Sequence, residues 1–219
     1  IYGVWDHIKN SGQFPDAKNL TLEWVGTVPG KRESRRFEGD HMLTQQDIVE
    51  RRAHNDTVSY GGWAIDLHPS EGVYSAESPC TQWHSKGVYG IPYRCLYSRN
   101  INNLFLAGRI ISASHIAFGS TRVMATGAHN AQAVAMAAAI RRREHLLPRD
   151  LAEPGKINTL QAALLRTGQH LPGITVPDDA DLAPAAIVTA SSTRAIQSLP
   201  ESRQYVALDG ARAQMFPVK

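Results

Sequence analysis

The side chains best equipped for chemistry in this sequence cluster in one loop. His115 and Arg122 stand seven residues apart among small and polar neighbours, Ser112, Ser114, Gly119, Ser120 and Thr121. Histidine changes charge near neutral pH and can pass a proton. Arginine keeps its charge and stabilises a developing oxyanion. The pair therefore suits substrate contact in a reaction that moves a proton or builds negative charge. Lys31, Arg32, Arg35 and Arg36 form a second basic group. Two of its arginines could clamp a carboxylate or phosphate bidentately, or the run is a solvated surface. Asp66 and His68 are a third pair, two apart and hence on one face of any strand that carries them. No metal centre is expected, because Cys80, Cys95 and His84 lack ligand spacing and two cysteines allow at most one bridge.

These groups need elements to hold them. Leu104, Phe105, Leu106 and Ala107 form a short apolar run ended by Gly108, the pattern of a strand buried in a parallel sheet. After the polar loop, a helix is expected from about Thr121, capped by Ser120 or Thr121. Its buried stripe is read as Val123, Met124, Ala128, Ala131, Val134, Ala135, Ala138 and Ile140. Arg141, Arg142 and Arg143 suit its carbonyl end, and Pro148 lies beyond it. A helix start at the carboxyl end of such a strand offers free N–H groups to an anion, and small residues there admit a flat ligand.

Upstream, Leu20 to Val25 alternates like a strand and Pro29-Gly30 makes a turn. Thr44 looks like the N-cap of a helix running to about His54, with Asp47 in the first turn. Tyr60 to His68 reads as a strand whose polar face carries Asp66 and His68. Val88 to Tyr93 reads as an edge strand because of Pro92. Downstream, Leu151 to Gly168 holds a short amphipathic helix closed by Gly168. Leu171 to Leu182 is a linker, and Asp181 to Thr193 is β-rich.

With 219 residues, 42% hydrophobic and 20% charged, the chain has the make-up of one or two ordinary globular domains. Its formal charge of +3 is small and largely local to the basic group, which argues against general nucleic-acid binding. The uncharged run from Val123 to Ile140 is interrupted by Thr126, His129, Asn130 and Gln132, so no membrane span is expected. No G-x-G-x-x-G occurs.

The motifs NLFLAGR (Asn103 to Arg109), SASH (Ser112 to His115) and GSTRVMAT (Gly119 to Thr126) resemble the C-terminal flavin-contacting segment of FAD-dependent oxidoreductases related to the fumarate reductase and succinate dehydrogenase flavoproteins. PGKRESRRFEGDHMLTQQDI (Pro29 to Ile48) and GGWAIDLH (Gly61 to His68) match as well, and the similarity runs from near Ile1 to about Arg143. The resemblance implies an α/β fold, the C-terminal portion of an FAD-binding flavoprotein (Rossmann-like, glutathione-reductase-type) with part of a β-rich substrate domain. It implies FAD as cofactor and hydride transfer with a small organic substrate. The family's pyrophosphate-binding fingerprint is missing here, so the dinucleotide half is expected elsewhere in the same or another chain.

The same resemblance suggests regions 1–95 (substrate or cap) and 96–147 (strand, loop and helix of the FAD domain), and the residue patterns beyond it suggest 148–180 (helix and linker) and 181–219 (β-rich tail). The tail resembles the opening of a galactose-binding-like β-sandwich. Cofactor contacts fall by resemblance on Gly108, Arg109, Ser112, Ser114, Gly119, Ser120, Thr121, Val123 and Met124, with the reduced flavin's negative pyrimidine ring at the helix start beside Arg122. His115 and Arg122 become the catalytic candidates, and Arg32, Arg35, Arg36, Asp66 and His68 the substrate-binding ones. Relatives carry an acidic residue where Arg109 stands; arginine cannot accept hydrogen bonds and would meet a phosphate or carboxylate instead. The alternative function is a non-catalytic binding or structural module, carbohydrate-associated through the tail.

Overall fold

The computed structural model describes residues 1–28, 33, 35–85, 87–182, 185–187, 189, 204–206 and 216–218. The chain divides into two compact units, Ile1–Ser34 and Arg35–Lys219. In the first, helix α1 (Tyr2–Asn10) is followed by a 3-10 turn, Pro15–Asn19. The Lys9 ammonium ties α1 to that turn by donating to the carbonyls of Ala17 and Lys18 within it and of Leu20 just after it, at 2.9, 2.9 and 2.6 Å. The strand expected from Leu20 to Val25 does not form. Leu20 and Trp24 are exposed there, and alternation without a partner strand leaves the backbone bonds unmade. The Pro29-Gly30 turn, Lys31 and Arg32 lie outside the described residues.

The second unit contains helix α2 (Gln45–Val49), strands β1 (Thr57–Gly61), β2 (Ile65–Leu67), β3 (Thr81–Trp83) and β4 (Tyr89–Pro92), and helices α3 (His115–Thr121), α4 (Met124–Glu144) and α5 (Pro154–Arg166). Strands β5 (Gln204–Val206) and β6 (Phe216–Val218) follow. The strands make three antiparallel pairs, β1 with β4, β2 with β3 and β5 with β6. Helices and small sheets thus mix, and the described residues contain no parallel sheet. The expected strand at Leu104–Ala107 is reduced to one antiparallel bridge, Phe105 to Tyr97. Leu106 is buried and donates to Leu96, so the apolar run is core without being strand. Gly108, at φ +63°, then turns the chain into the 3-10 turn Gly108–Ile110. Among the described residues a parallel contact is the bridge Leu43 to Ala113, where Leu43 N–H donates to the Ser112 carbonyl and Ser114 N–H to the Leu43 carbonyl.

Thr44 caps α2 as expected. Its hydroxyl accepts from Asp47 N–H, and the Asp47 carboxylate accepts from Thr44 N–H. The helix stops at Val49, short of His54, because Arg51 takes a left-handed backbone at φ +52°. The segment read as one strand from Tyr60 to His68 is two, β1 and β2, separated at residues 62–64 and paired to different neighbours.

The helix expected from Thr121 is also two. Ser114 caps α3 by accepting from Ala117 N–H at 3.3 Å, and the chain breaks at Arg122 and Val123 before α4 begins. Ser120 and Thr121 are therefore buried inside α3 and cap nothing. The buried face of α4 is Thr126, Asn130, Ala133, Ala137 and Ile140, at four, three, four and three residue steps. Of the expected stripe only Ile140 is fully buried; Met124, Ala128, Ala131 and Ala135 are exposed. Alanine on every side gave the apolar pattern no phase. The basic end is as expected, with Arg141, Arg142 and Arg143 in the last turn.

Helix α5 buries Ile157, Leu160, Gln161 and Leu164, and Gly168, at φ +82°, ends the turn after it. Gln161 donates to the Asn55 and Thr57 carbonyls, fastening α5 to β1. The core also takes in three tyrosines, Tyr89, Tyr93 and Tyr97, each with its hydroxyl hydrogen-bonded. In the span expected to be β-rich, residues 181, 182, 185–187 and 189 form no strand, and 190–193 lie outside the described residues. No helix among the described residues is long and apolar enough to cross a membrane.

Candidate functional site

Helix α3 carries a polar group at each end. His115 opens it and Arg122 closes it, so seven residues place them on nearly the same face, roughly 10 Å apart along the axis. At the first end, Arg36 donates from Nη2 to His115 Nδ1 at 3.3 Å and from Nη1 to the Ala113 carbonyl at 3.2 Å. Its guanidinium lies over the Phe118 ring at 5.9 Å, and partial burial lowers its pKa while leaving it charged. Because arginine only donates, His115 accepts at Nδ1, and the neutral ring carries its proton on Nε2. His115 itself is exposed.

At the second end, Arg122 donates from Nη2 to Asp66 Oδ2 at 2.8 Å and to His68 Nε2 at 3.2 Å. Both Arg122 and Asp66 side chains are 14% exposed, so the ion pair is largely shielded from water. His68 Nδ1 lies 2.9 Å from the Pro79 carbonyl, which can only accept; the proton therefore sits on Nδ1, and Nε2 faces Arg122 as an acceptor. Asp66 Oδ1 is buried with no hydrogen-bond partner. Strand β2 carries Asp66, His68 directly follows its last residue, and α3 packs on that strand. Gly119 makes the approach close: a Cβ there would meet the Asp66 carbonyl at 2.9 Å and Asp66 N at 3.2 Å. Its small size serves helix–strand packing.

The remaining expected cofactor contacts divide. Ser120 is fully buried; its hydroxyl donates to the Trp63 carbonyl at 2.6 Å and so accepts from Tyr89 Oη at 2.6 Å. Thr121 and Ser112 are buried with hydroxyls that have no hydrogen-bond partner. Ser114 is spent capping α3. Val123 and Met124, by contrast, stand at the start of α4, where no side chain caps the helix and Met124 is 91% exposed. The 3-10 turn at Gly108 packs there too: a Cβ on Gly127 would lie 3.5 Å from Gly108 Cα, while one on Gly108 would meet nothing within 4 Å. Arg109, next along, is exposed, as is Arg35.

The structure thus joins Arg36 to His115 and Arg122 to Asp66 and His68, and it sets Gly108 against Gly127, the fourth residue of α4. Two participants escaped sequence reading. Phe118 supports Arg36, a role that its place three residues after His115 could have suggested. The open first turn at Met124, Ala125 and Thr126 escaped because its start was placed three residues early. A cavity of about 620 Å³ lies elsewhere, between α5 and the segment near Pro177 and Leu182.

Over residues 1–164 the sequence matches the family described as FAD dependent oxidoreductase, and the chain belongs to that family. No curated protein and no solved structure matches it. FAD is the cofactor of the family and flavin redox chemistry its general activity.

Proposed function

We propose that the chain serves an FAD-dependent oxidoreductase that transfers a hydride between flavin and a small organic substrate, with the pyrimidine edge of the flavin at the start of α4. The observation that carries this reading is the uncapped first turn of that 21-residue helix, next to a glycine turn with open space around it. The N–H groups of Met124, Ala125 and Thr126 and the partial positive charge of the helix end fit an anionic ring edge. Gly108 lets it approach, and Arg109 is available to a phosphate or carboxylate. Bound FAD supplies hydride acceptance or donation.

The chain's own residues do the rest. Arg36 and His115 draw in an anionic substrate, and His115 is the group that exchanges a proton with it. Arg122 is held by Asp66 and His68, which fix its position and leave its other donors for substrate. Since no G-x-G-x-x-G occurs in these residues, the pyrophosphate is held by a Rossmann-like segment outside them. On this reading, residues 96–147 belong to the FAD domain, residues 1–95 to a substrate region, and the nearest chemistry is that of the fumarate reductase flavoproteins.

The test is Ala125→Glu, at an exposed position in the first turn of α4. A carboxylate there favours the helix dipole, so the melting temperature should hold or rise slightly. Flavin affinity should fall at least about tenfold, because the anion site is then occupied and repels the ring edge. Unchanged flavin affinity would remove the ligand from this helix.

A further inference from the structure

We propose that His41, Asp47 and His54 form a binding site for a divalent transition-metal ion of the zinc type. The three come from separate places: His41 from the loop before α2, Asp47 from its first turn, and His54 from the turn leading into β1. His41 Nε2 lies 3.4 Å from Asp47 Oδ2, and His54 Nε2 lies 3.8 Å from Asp47 Oδ1. One ligand atom from each residue falls within 4.8 Å of the others. Zinc–ligand bonds of about 2.0–2.2 Å in tetrahedral array put neighbouring ligand atoms about 3.3 Å apart, so small rotations close the set.

The decisive feature is what the two rings lack. Both Nε2 atoms are buried and neither has a hydrogen-bond partner. Leaving two buried imidazole nitrogens unsatisfied is costly, and a shared cation answers both. His54 and Asp47 side chains are only 9% and 2% exposed, while His41 at 26% gives an ion its way in.

Asp47 is prepared for the same role. Its Oδ2 accepts from Thr44 N–H at 2.7 Å and from the Thr44 hydroxyl at 2.8 Å, which orients the carboxylate and leaves Oδ1 to bind metal. Arg52 Nη1, 3.5 Å from Oδ1, is the competing cation, but Arg52 also bonds Glu50 at 2.8 Å and can turn wholly to it. His54 also borders a cavity of about 610 Å³ with Asn55, Asp56 and Arg94, where a fourth ligand from solvent has room. The spacings of six and seven residues match no familiar metal motif, and the expectation of no metal centre rested on Cys80, Cys95 and His84 alone. The proposal does not depend on the flavin reading.

The test is titration of the chelator-treated, tag-free full chain with Zn²⁺ by calorimetry and with Co²⁺ by visible absorption. One equivalent should bind, with the strong absorption of tetrahedral Co²⁺ and a rise in melting temperature. His41→Ala and His54→Ala should each weaken binding at least about 100-fold, whereas His7→Ala on α1 should not. His41 is the more exposed ligand, so its variant should stay folded by circular dichroism even if the His54 variant does not. Folded His41→Ala that binds as tightly as the parent would overturn the site, as would a parent that binds no tighter than the His41→Ala/His54→Ala protein.

Discussion

Arg122 shows how a single side chain can be legible by type and illegible by engagement. Its place next to Gly119, Ser120 and Thr121 suggested a cation aimed at a ligand; the structure shows it already bonded to Asp66 and His68, residues more than fifty positions upstream. Nothing local in the sequence encodes that partnership, although the alternation around Ile65 did place Asp66 and His68 on one face. Removing the guanidinium leaves a largely buried carboxylate without its donor. Arg122→Ala should therefore cost about 1–3 kcal/mol. In a chain of this size that is roughly 2–4 °C of melting temperature per kcal/mol. Asp66→Asn combined with Arg122→Ala should cost less than the sum of the two, since the second change removes the group the first stranded. Strict additivity in thermal melts would show that the two do not interact.

His129 is the corresponding case for pH. It packs against the Tyr60 ring at 4.7 Å, with His170 on the same ring at 5.5 Å, and burial lowers its pKa. The folded value lies below that of the unfolded chain, about 6.5. Its contribution is therefore full above that pH and is lost as pH falls through the folded value. His129→Phe keeps an aromatic ring on Tyr60 but removes the titration. Thermal melts from pH 7.5 to 5 should show a shallower loss of stability in the variant. Parallel curves would assign the acid sensitivity to other groups.

At the scale of elements, local signals survived and phase did not. The Thr44 capping box and the cationic end of α4 depend on neighbours within one turn and were readable. The face of α4 was not, because its alanines make inside and outside chemically alike and only packing chooses Ala133 and Ala137. The break between α3 and α4 was equally hidden: Thr121, Arg122 and Val123 contain neither proline nor glycine. Gly119 is where that packing can be tested. Gly119→Ala favours the helix by propensity, about 1 kcal/mol. Its Cβ, however, would sit 2.9 Å from the Asp66 carbonyl, a backbone atom with little freedom to retreat. Overpacking of this kind costs about 1–3 kcal/mol, so the variant should melt lower and α3 should ride away from β2. A higher melting temperature would mean the contact relaxes freely.

For the whole molecule, family membership was carried by short motifs, while the architecture expected from them was only partly visible. Mixed helices and small antiparallel sheets replace the buried parallel strand at Leu104, because the chain turns at Gly108 before a ladder can extend. What this body contributes to the cofactor follows from the same geometry. On the proposed reading the start of α4 meets the ring end of FAD, while no G-x-G-x-x-G for the pyrophosphate occurs in these residues. FAD and riboflavin share the ring and differ in the phosphates and adenosine, so the chain should bind them with nearly equal, weak affinity. Charge-assisted hydrogen bonds to a pyrophosphate contribute about 1.5–3 kcal/mol each, and two of them would favour FAD by well over 100-fold. Fluorescence titration of the full chain with both ligands reads that ratio directly. A ratio within a few-fold fits a body that holds only the ring end; FAD bound hundreds of times more tightly would mean that a phosphate site lies within these residues, with Arg109 the first side chain to replace.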